Sequence, residues 1–282
     1  MSMADIFYED SALAFMQRSG NFLLRHEVEH NMLLGLVEAA QHMQSNDTFF
    51  ATLANSDDVQ MVAVQQPGKY LVLSRKGEEA DIGELIGACA AIRPSIPGIL
   101  GPSDAAAIAA DLWMEKNGQV IKDHKDMILY TLDKLTIPAS EKGKIRVAQG
   151  ADVALAAKWS MAFAREVLPK NEHPDKKKAE KTAAEKIAAG RIYFWEVDGE
   201  PVAQCSFAGT RDVARIGGVY TPPKQREKGY AASLVAHLSQ KLLQEKGKKK
   251  CCLYADAQNP VSNGIYRKIG YEFTSRSGLY IF

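Results

Sequence analysis

Apolar residues recur along the second half of the chain in two rhythms. Residues 152–167 carry Val153, Ala156, Ala157, Met161 and Ala164 at helical spacing, and residues 227–245 carry Leu234, Val235, Leu238 and Leu242 in the same way. Short β-rich runs stand between and after them, at 144–147, 192–197, 202–207, 213–220 and 251–255. Asp198-Gly199 joins two of these runs and predicts a hairpin. A second helix should end before Gly190, after a polar loop at 169–178; a short helix is expected at 260–269 and strand at 271–282. Strands and helices in this order imply an α/β domain rather than a sandwich or a bundle.

The first half shows a similar order. A helix is expected over 21–43, strands at 49–53, 61–73 and 127–132, and a helix at 103–116 capped by Ser103. This sequence of elements echoes the second half and suggests a degenerate internal repeat. The segment TIPASEKG, 136–143, interrupts both patterns with Pro138 and Gly143, and places the boundary between domains 1–138 and 143–282.

Charge changes sign at the same place. Residues 1–140 hold 10 Lys and Arg against 19 Asp and Glu, a net −9; residues 141–282 hold 25 against 15, a net +10. The second half therefore favours an anionic ligand, and the first half would dock against it or attract cationic amines. The runs KKK (176–178) and KGKKK (246–250) lack the aromatic-plus-basic pattern of a nucleic-acid module and read as solvated charge. With 46% hydrophobic and 24% charged residues the composition is that of a globular protein. The longest apolar run, 85–92, is too short to span a bilayer, and the start MSMADIFYED has no leader pattern. A cytoplasmic monomer or homodimer with no nucleic-acid or membrane partner is expected. Four cysteines without a C-x-x-C pair suggest reduced, buried thiols and no cysteine metal site.

The most informative stretch is VYTPPKQREKGYAASL, 219–234. A strand runs into a turn, Gly229 stands where a helix begins, and Arg226 and Lys228 flank it. The first turn of a helix has N–H groups without partners and the positive end of the helix dipole, so an anion fits there. Glycine lets a phosphate reach the backbone, and Ala231 and Ala232 do not wall it off. Further on, LYADAQNPVSNGIYRKIGYEF (253–273) places Asn259 and Tyr266 seven residues apart.

Together these two segments resemble the GNAT superfamily of N-acetyltransferases. Arg226, Gly229 and Ala231 match its acetyl-CoA motif R/Q-x-x-G-x-G/A, and the Asn-to-Tyr spacing with the ending KIGYEF matches its next element. The resemblance covers about 143–282. It implies a mixed, mostly antiparallel sheet flanked by helices, with the N-terminal α/β domain as a degenerate GNAT-like half without a cofactor site. It further implies that Val219, Tyr220 and Thr221 offer main-chain groups to the pantetheine arm and polarise the thioester carbonyl. Arg226, Glu227, Lys228, Gly229, Tyr230, Ala231 and Ala232 would hold the pyrophosphate, Asn259 would bond the cofactor arm, and Tyr266 would protonate the CoA thiolate. Acetyl-CoA is then the co-substrate, with no metal, and the acceptor is the amine of a small molecule or peptide.

Tyrosine suits the last role on its own chemistry. A phenol near pKa 10 stays protonated at neutral pH, and full transfer to a thiolate whose acid has pKa near 8.5 is uphill by roughly 2 kcal/mol. A lysine-like acceptor near pKa 10.4 is neutral in only about one molecule in 2500 at pH 7, so a base is required. The strand VARIGGVY has no carboxylate, and Tyr254 stands where some family members carry Glu; Glu196, Asp256 or a water remain as candidates. A non-catalytic CoA-binding or regulatory module is the alternative reading.

One further motif competes. HEVEH, 26–30, matches the H-E-x-x-H signature of zinc metallopeptidases. Leu33 and Leu36 stand where an extended signature needs Gly and His, and no glutamate follows between Glu38 and Glu78 to complete the ligand set. The expected helix over 21–43 leaves both histidines on a polar face, so they are expected to be surface residues rather than ligands.

Overall fold

The computed structural model describes residues 4–41, 47–56, 58–75, 78–136 and 142–282. In chain order the first half contains β1 (Asp5–Tyr8), α1 (Ala12–Arg25), α2 (Asn31–Gln41), β2 (Phe49–Asn55), β3 (Asp58–Gln65), β4 (Leu71–Leu73), α3 (Glu79–Ile92), β5 (Gly98–Pro102), α4 (Ser103–Asn117) and β6 (Asp123–Leu132). The second half contains β7 (Lys144–Val147), α5 (Val153–Val167), α6 (Lys176–Ala188), β8 (Ile192–Val197), β9 (Glu200–Gly209), β10 (Val213–Tyr220), α7 (Tyr230–Gln244), β11 (Lys250–Asp256), α8 (Pro260–Ile269) and β12 (Glu272–Ile281). Both halves thus follow one order: strand, two helices, three strands, helix, strand, helix, strand. The internal repeat expected from the sequence is present in the order of elements.

Contacts divide the chain into two units. Unit 1 comprises Met1–Leu129, Tyr254–Pro260 and Phe273–Phe282; unit 2 comprises Tyr130–Leu253 and Val261–Glu272. The sequence-based domains 1–138 and 143–282 are continuous runs, whereas these units exchange segments, and most of the expected boundary, 137–141, lies outside the described residues.

In unit 1 the strand order is β1-β2-β3-β4-β5-β12. Pairing is antiparallel throughout except for β4 with β5, where Leu71 and Val72 lie beside Ile99 and Leu100 in parallel. Side chains alternate between the two faces of a strand, and here both faces are covered. Phe49, Ala51, Leu53, Met61 and Ala63 enter one core with α3 and α4, while Phe50, Ala54, Val62 and Val64 enter another with α1 and α2. Burial on both faces erases the apolar–polar alternation within β3 and β4, while Pro67-Gly68 inside the expected strand 61–73 is a turn signal. The structure has two, β3 and β4, separated by a turn with Gly68 at φ +66°. Neither β1 nor the pair α3 and β5 was expected; α3, buried at Ile82, Leu85, Ile86 and Cys89, reads EADIGELIGACAAI and shows no distinct polar face.

Unit 2 has the order β11-β10-β9-β8-β7, antiparallel except for β10 with β11. One face carries α5 and α6, where Trp159, Ala156, Ala157 and Ala183 pack on Ile192, Phe194 and Tyr220. The other carries α7, whose apolar stripe of Leu234, Val235, Leu238 and Leu242 is fully buried. The hairpin at Asp198-Gly199 forms with both residues at positive φ, as its sequence requires. All four cysteines are free and buried, and no helix among the described residues is long and apolar enough to cross a membrane.

The expected helix over 21–43 is corrected by the structure. Ser11 caps α1 by accepting the Ala14 N–H at 3.2 Å, α1 ends at Arg25, and 26–30 form turns before α2 begins. His30 is not a surface residue, being only 1% exposed. Its Nε2 accepts the Arg75 backbone N–H at 3.1 Å, so the ring proton sits on Nδ1 and is donated to the Leu23 carbonyl at 3.0 Å. Both ring nitrogens are therefore committed to backbone groups, and HEVEH is a strut between the helix pair and β4. Among the described residues no group of three or more His, Cys, Asp or Glu side chains could hold a metal ion.

Burial, together with the nearby charges of His26 and Arg75, pulls the His30 imidazole down to about 4, against the opposing effect of the Leu23 bond. Above pH 6.5 the neutral ring costs nothing in either state. Between pH 6.5 and 4 the unfolded chain gains a proton that the folded chain refuses, so stability is lost as pH falls, by roughly 3 kcal/mol in total. Urea unfolding from pH 7 to pH 4 should show this loss, and its slope in that window should shrink in His30→Gln. Equal slopes in the two proteins would place the titration elsewhere.

Candidate active site

The site is built where β10 leaves the sheet of unit 2. Along β10, Gly217 lies opposite Ser206, but the next registered pair is Tyr220 with Gln204. Three steps on β10 match two on β9, so one residue is extra and the strand bulges. Gly218, at φ +60°, takes the conformation that the bulge demands, and Ser206 Oγ donates to the Gly217 carbonyl at 3.2 Å to hold it. The bulge re-aims Val219, Tyr220 and Thr221 at the end of the strand.

Beyond them Pro223–Gln225 form one turn of 3-10 helix, and the chain then passes through Glu227 at φ +65° and Gly229 at φ +78° before α7 begins. Backbone alternating through left-handed positions turns successive N–H groups toward one concavity, which suits an anion. Gly229 is the N-cap and has no side chain to offer, so nothing on the cap competes for the amides of Tyr230, Ala231 and Ala232. The first intrahelical bond runs from Ser233 N–H to the Gly229 carbonyl at 3.0 Å, and Ser233 Oγ donates to the same carbonyl at 3.2 Å. No acidic residue lies in the first turn, and a Cβ placed on Gly229 would meet nothing within 4 Å. The turn therefore presents donors and positive potential to open space.

The cations of this turn are tied down. Arg226 donates Nη2 to both carboxylate oxygens of Glu166 at 2.7 and 2.9 Å and Nε to the Thr221 carbonyl at 2.9 Å. Lys228 Nζ donates to Gln225 Oε1 at 3.0 Å. Arg226 thus fastens the turn to α5, and the amides of the turn are the groups left for an anion. Glu166 was not singled out from the sequence, and its position in α5 gives no local signal.

Two buried polar atoms close to the bulge have no hydrogen-bond partner, Thr221 Oγ1 and Gln204 Oε1. Gln204 is 2% exposed and spends only its Nε2, on Ser160 Oγ at 3.1 Å. A polar residue inside the buried run VAQC was the available signal for it. An unsatisfied buried acceptor costs about 1–3 kcal/mol, so these atoms mark a place suited to a polar ligand or water. Together with the acid-free N-terminus of α7, they fit the amide-rich arm and the diphosphate of a CoA thioester.

Tyr266 projects from α8 into the interior of unit 2, its ring 6.3 Å from Tyr130 and 6.1 Å from Tyr271. Burial, with the Cys205 thiol nearby, pushes its hydroxyl up to about 12. Its two aromatic neighbours are engaged: Tyr130 Oη donates to Asn263 Oδ1 at 3.1 Å, and Tyr271 Oη bonds Ser239 Oγ at 2.9 Å. Among the described residues the Tyr266 hydroxyl has no partner, so of the three phenols it is the one with a proton to offer.

The remaining candidates fall elsewhere. Asn259 belongs to the segment Tyr254–Pro260 of unit 1, where its N–H bonds the Asp256 carbonyl at 3.1 Å; Asp256 Oδ1 accepts the Gln258 N–H at 2.8 Å. Asp256 thereby shapes the turn into α8. Glu196 sits on β8 beside β7, where Arg146 Nε at 2.7 Å and Lys144 Nζ at 3.3 Å bind it. The Arg146 bond foremost, and then Lys144, holds the Glu196 carboxyl below its ordinary range. A carboxylate so stabilised is a poor base, and one strand, β9, separates it from β10.

Unit 1 repeats the architecture without the cradle. The turn corresponding to that before α7 precedes α3, whose N-cap is Glu78 and whose first turn holds Glu79 and Asp81. Asp81 accepts the Glu78 N–H within a capping box, so the helix start is satisfied and negatively charged. A diphosphate is excluded there by both occupancy and repulsion. The glycines that precede α4, Gly98 and Gly101, belong to β5.

Residues 157–271 match the sequence model of the acetyltransferase (GNAT) family. The chain resembles a Drosophila protein of known structure over 100% of its own length and 99% of the other, at 12% identity and a TM-score of 0.70. It resembles a GNAT-family acetyltransferase from Colwellia psychrerythraea over 99% of both chains, at 12% identity and a TM-score of 0.61. A tandem GNAT protein from the clavulanic acid biosynthesis pathway is similar over 98% of both chains, at 11% identity and a TM-score of 0.57. Comparison with curated proteins gives no match. At these identities the likeness establishes the fold, and it does so for both halves.

Backbone geometry at the turn gives a first test. Gly229→Ala should lower stability by about 1 kcal/mol, because a Cβ must be forced into the left-handed region. Gly217→Ala, at ordinary φ and with open space around its Cβ, should leave the unfolding midpoint in place. Equal losses at the two positions would contradict the conformation described for the turn.

Proposed function

We propose that this chain, whose residues 157–271 match the sequence model of the acetyltransferase (GNAT) family, transfers an acetyl group from acetyl-CoA to a primary amine by direct attack on the thioester. The observation that carries the reading is the start of α7: a glycine N-cap at φ +78°, an acid-free first turn, and a bulged strand leading into it. The corresponding start of α3 is closed by Glu78, Glu79 and Asp81.

In this proposal the amides of residues 229–232 hold the diphosphate, with Arg226, Glu227 and Lys228 shaping the turn. Main-chain groups of Val219, Tyr220 and Thr221 bind the pantetheine arm and polarise the thioester carbonyl. The amine nitrogen attacks the carbonyl carbon, the C–N bond forms, the C–S bond breaks, and the thiolate takes the Tyr266 proton. With the phenol near 12 and a thiol near 8.5, complete transfer in the resting site is uphill by roughly 5 kcal/mol. Tyr266 therefore acts chiefly as a hydrogen-bond donor whose proton moves as negative charge develops on sulfur. The base that takes the amine proton is a water in this proposal, since Glu196 is held by Arg146 and Asp256 by its turn.

Acetyl-CoA at a hundredfold excess over Kd should stabilise the protein by about 2.7 kcal/mol, through binding to the folded state alone. Calorimetry should give one site per chain, since α3 begins with acids; two sites would overturn the assignment of unit 1. Tyr266→Phe should lower turnover by about 10²- to 10⁴-fold with little change in acetyl-CoA affinity. Thiol release with an amine library supplies the readout. A protein that binds acetyl-CoA and turns over none of the amines would be a binding module rather than an enzyme.

A further inference from the structure

Unit 1 contains a cleft of about 540 Å³, all of whose lining residues belong to that unit. It opens at the carboxyl ends of the parallel strands β4 and β5, the position at which α/β sheets take their ligands. Its apolar lining includes Met32, Leu73 and Leu100. Its polar lining includes two guanidiniums, Arg75 and Arg276, and two carboxylates, Glu29 and Asp104.

These charges differ in how they are engaged. Arg75 is anchored at 3.4 Å from Glu29 and 2.9 Å from His26 Nδ1, and its own N–H rests on the buried His30. Asp104 Oδ1 accepts the Ala105 N–H at the start of α4. Arg276, on β12, is exposed and has no hydrogen-bond or ionic partner among the described residues. A planar guanidinium without a partner at the mouth of a cleft is suited to a bidentate carboxylate. The two acids make the cleft unfavourable for a phosphate-rich ligand and favourable for an ammonium. Positive and negative groups balance, and the apolar lining has room for a side chain.

We propose that this cleft binds a free α-amino acid with an apolar side chain. The carboxylate lies on Arg276, the ammonium faces Glu29 and Asp104, and the side chain rests on Met32, Leu73 and Leu100. A repeat unit that has lost the diphosphate cradle thereby keeps a cleft for a smaller, zwitterionic ligand. The inference does not depend on the acetyl-transfer reading, because it concerns binding in unit 1 alone.

Calorimetric titration of the full-length chain without acetyl-CoA tests it, with L-leucine, L-methionine and L-phenylalanine as probes. At least one should bind at or below about 10 mM. For leucine, removing the carboxylate (3-methylbutylamine) or the amine (4-methylpentanoate) should each weaken binding about ten-fold or more. Arg276→Gln should weaken it about ten-fold, with Arg276→Lys intermediate, and neither exposed substitution should move the unfolding midpoint. Absence of binding by all three amino acids, equal binding of the amine alone, or an unchanged affinity in Arg276→Gln would each overturn the proposal.

Discussion

Two neighbouring strands that run in the same direction cannot be joined by a tight turn, so the chain must cross back through a connection of a dozen or more residues. Each unit has one such pair, β4 with β5 and β10 with β11, and each crossing is a helix, α3 or α7. That constraint places a helix start beside the carboxyl end of a strand twice in the molecule. The start of a helix is electrically positive and has amides to offer. What the protein does with each depends on a few side chains. Glu78, Glu79 and Asp81 close the first, while Gly229 and the alanines after it leave the second open.

The same pair of starts explains how the sequence could be read. The cradle was legible because its constraints are local: glycine at a left-handed N-cap and small residues in the first helical turn leave a pattern within six positions. Unit 2 was legible for a related reason, since its hairpin and its amphipathic α5 and α7 display their periods. Unit 1 hid its elements because both faces of its sheet are covered. Within β3, β4 and α3 apolar residues follow one another without rhythm, and the break between β3 and β4 is announced only by the short turn signal Pro67-Gly68.

Other features were out of reach of any local pattern. His30 is buried because residues 26–30 turn between two helices and meet Arg75, forty-five positions away. Glu166 serves the cradle from α5 by binding Arg226, and Gln204 faces Ser160 from a neighbouring strand. Such pairs join residues far apart in sequence and need the folded sheet to define them. Even Tyr266, legible by its spacing from Asn259, is distinguished from Tyr130 and Tyr271 only by what the other two phenols bond.

The placement of β12 sets a schedule for synthesis. It pairs along Ser277 to Ile281 with β5, and Leu279, Ile281 and Phe282 fill the two cores of unit 1. The partner strand ends at Pro102, so the ribosome must add the whole of unit 2 before the sheet of unit 1 gains this strand. At about 5–20 residues per second the delay is roughly 9–36 s. During that time the half made first presents an unpaired strand edge and two incomplete cores, and it is the last to be finished.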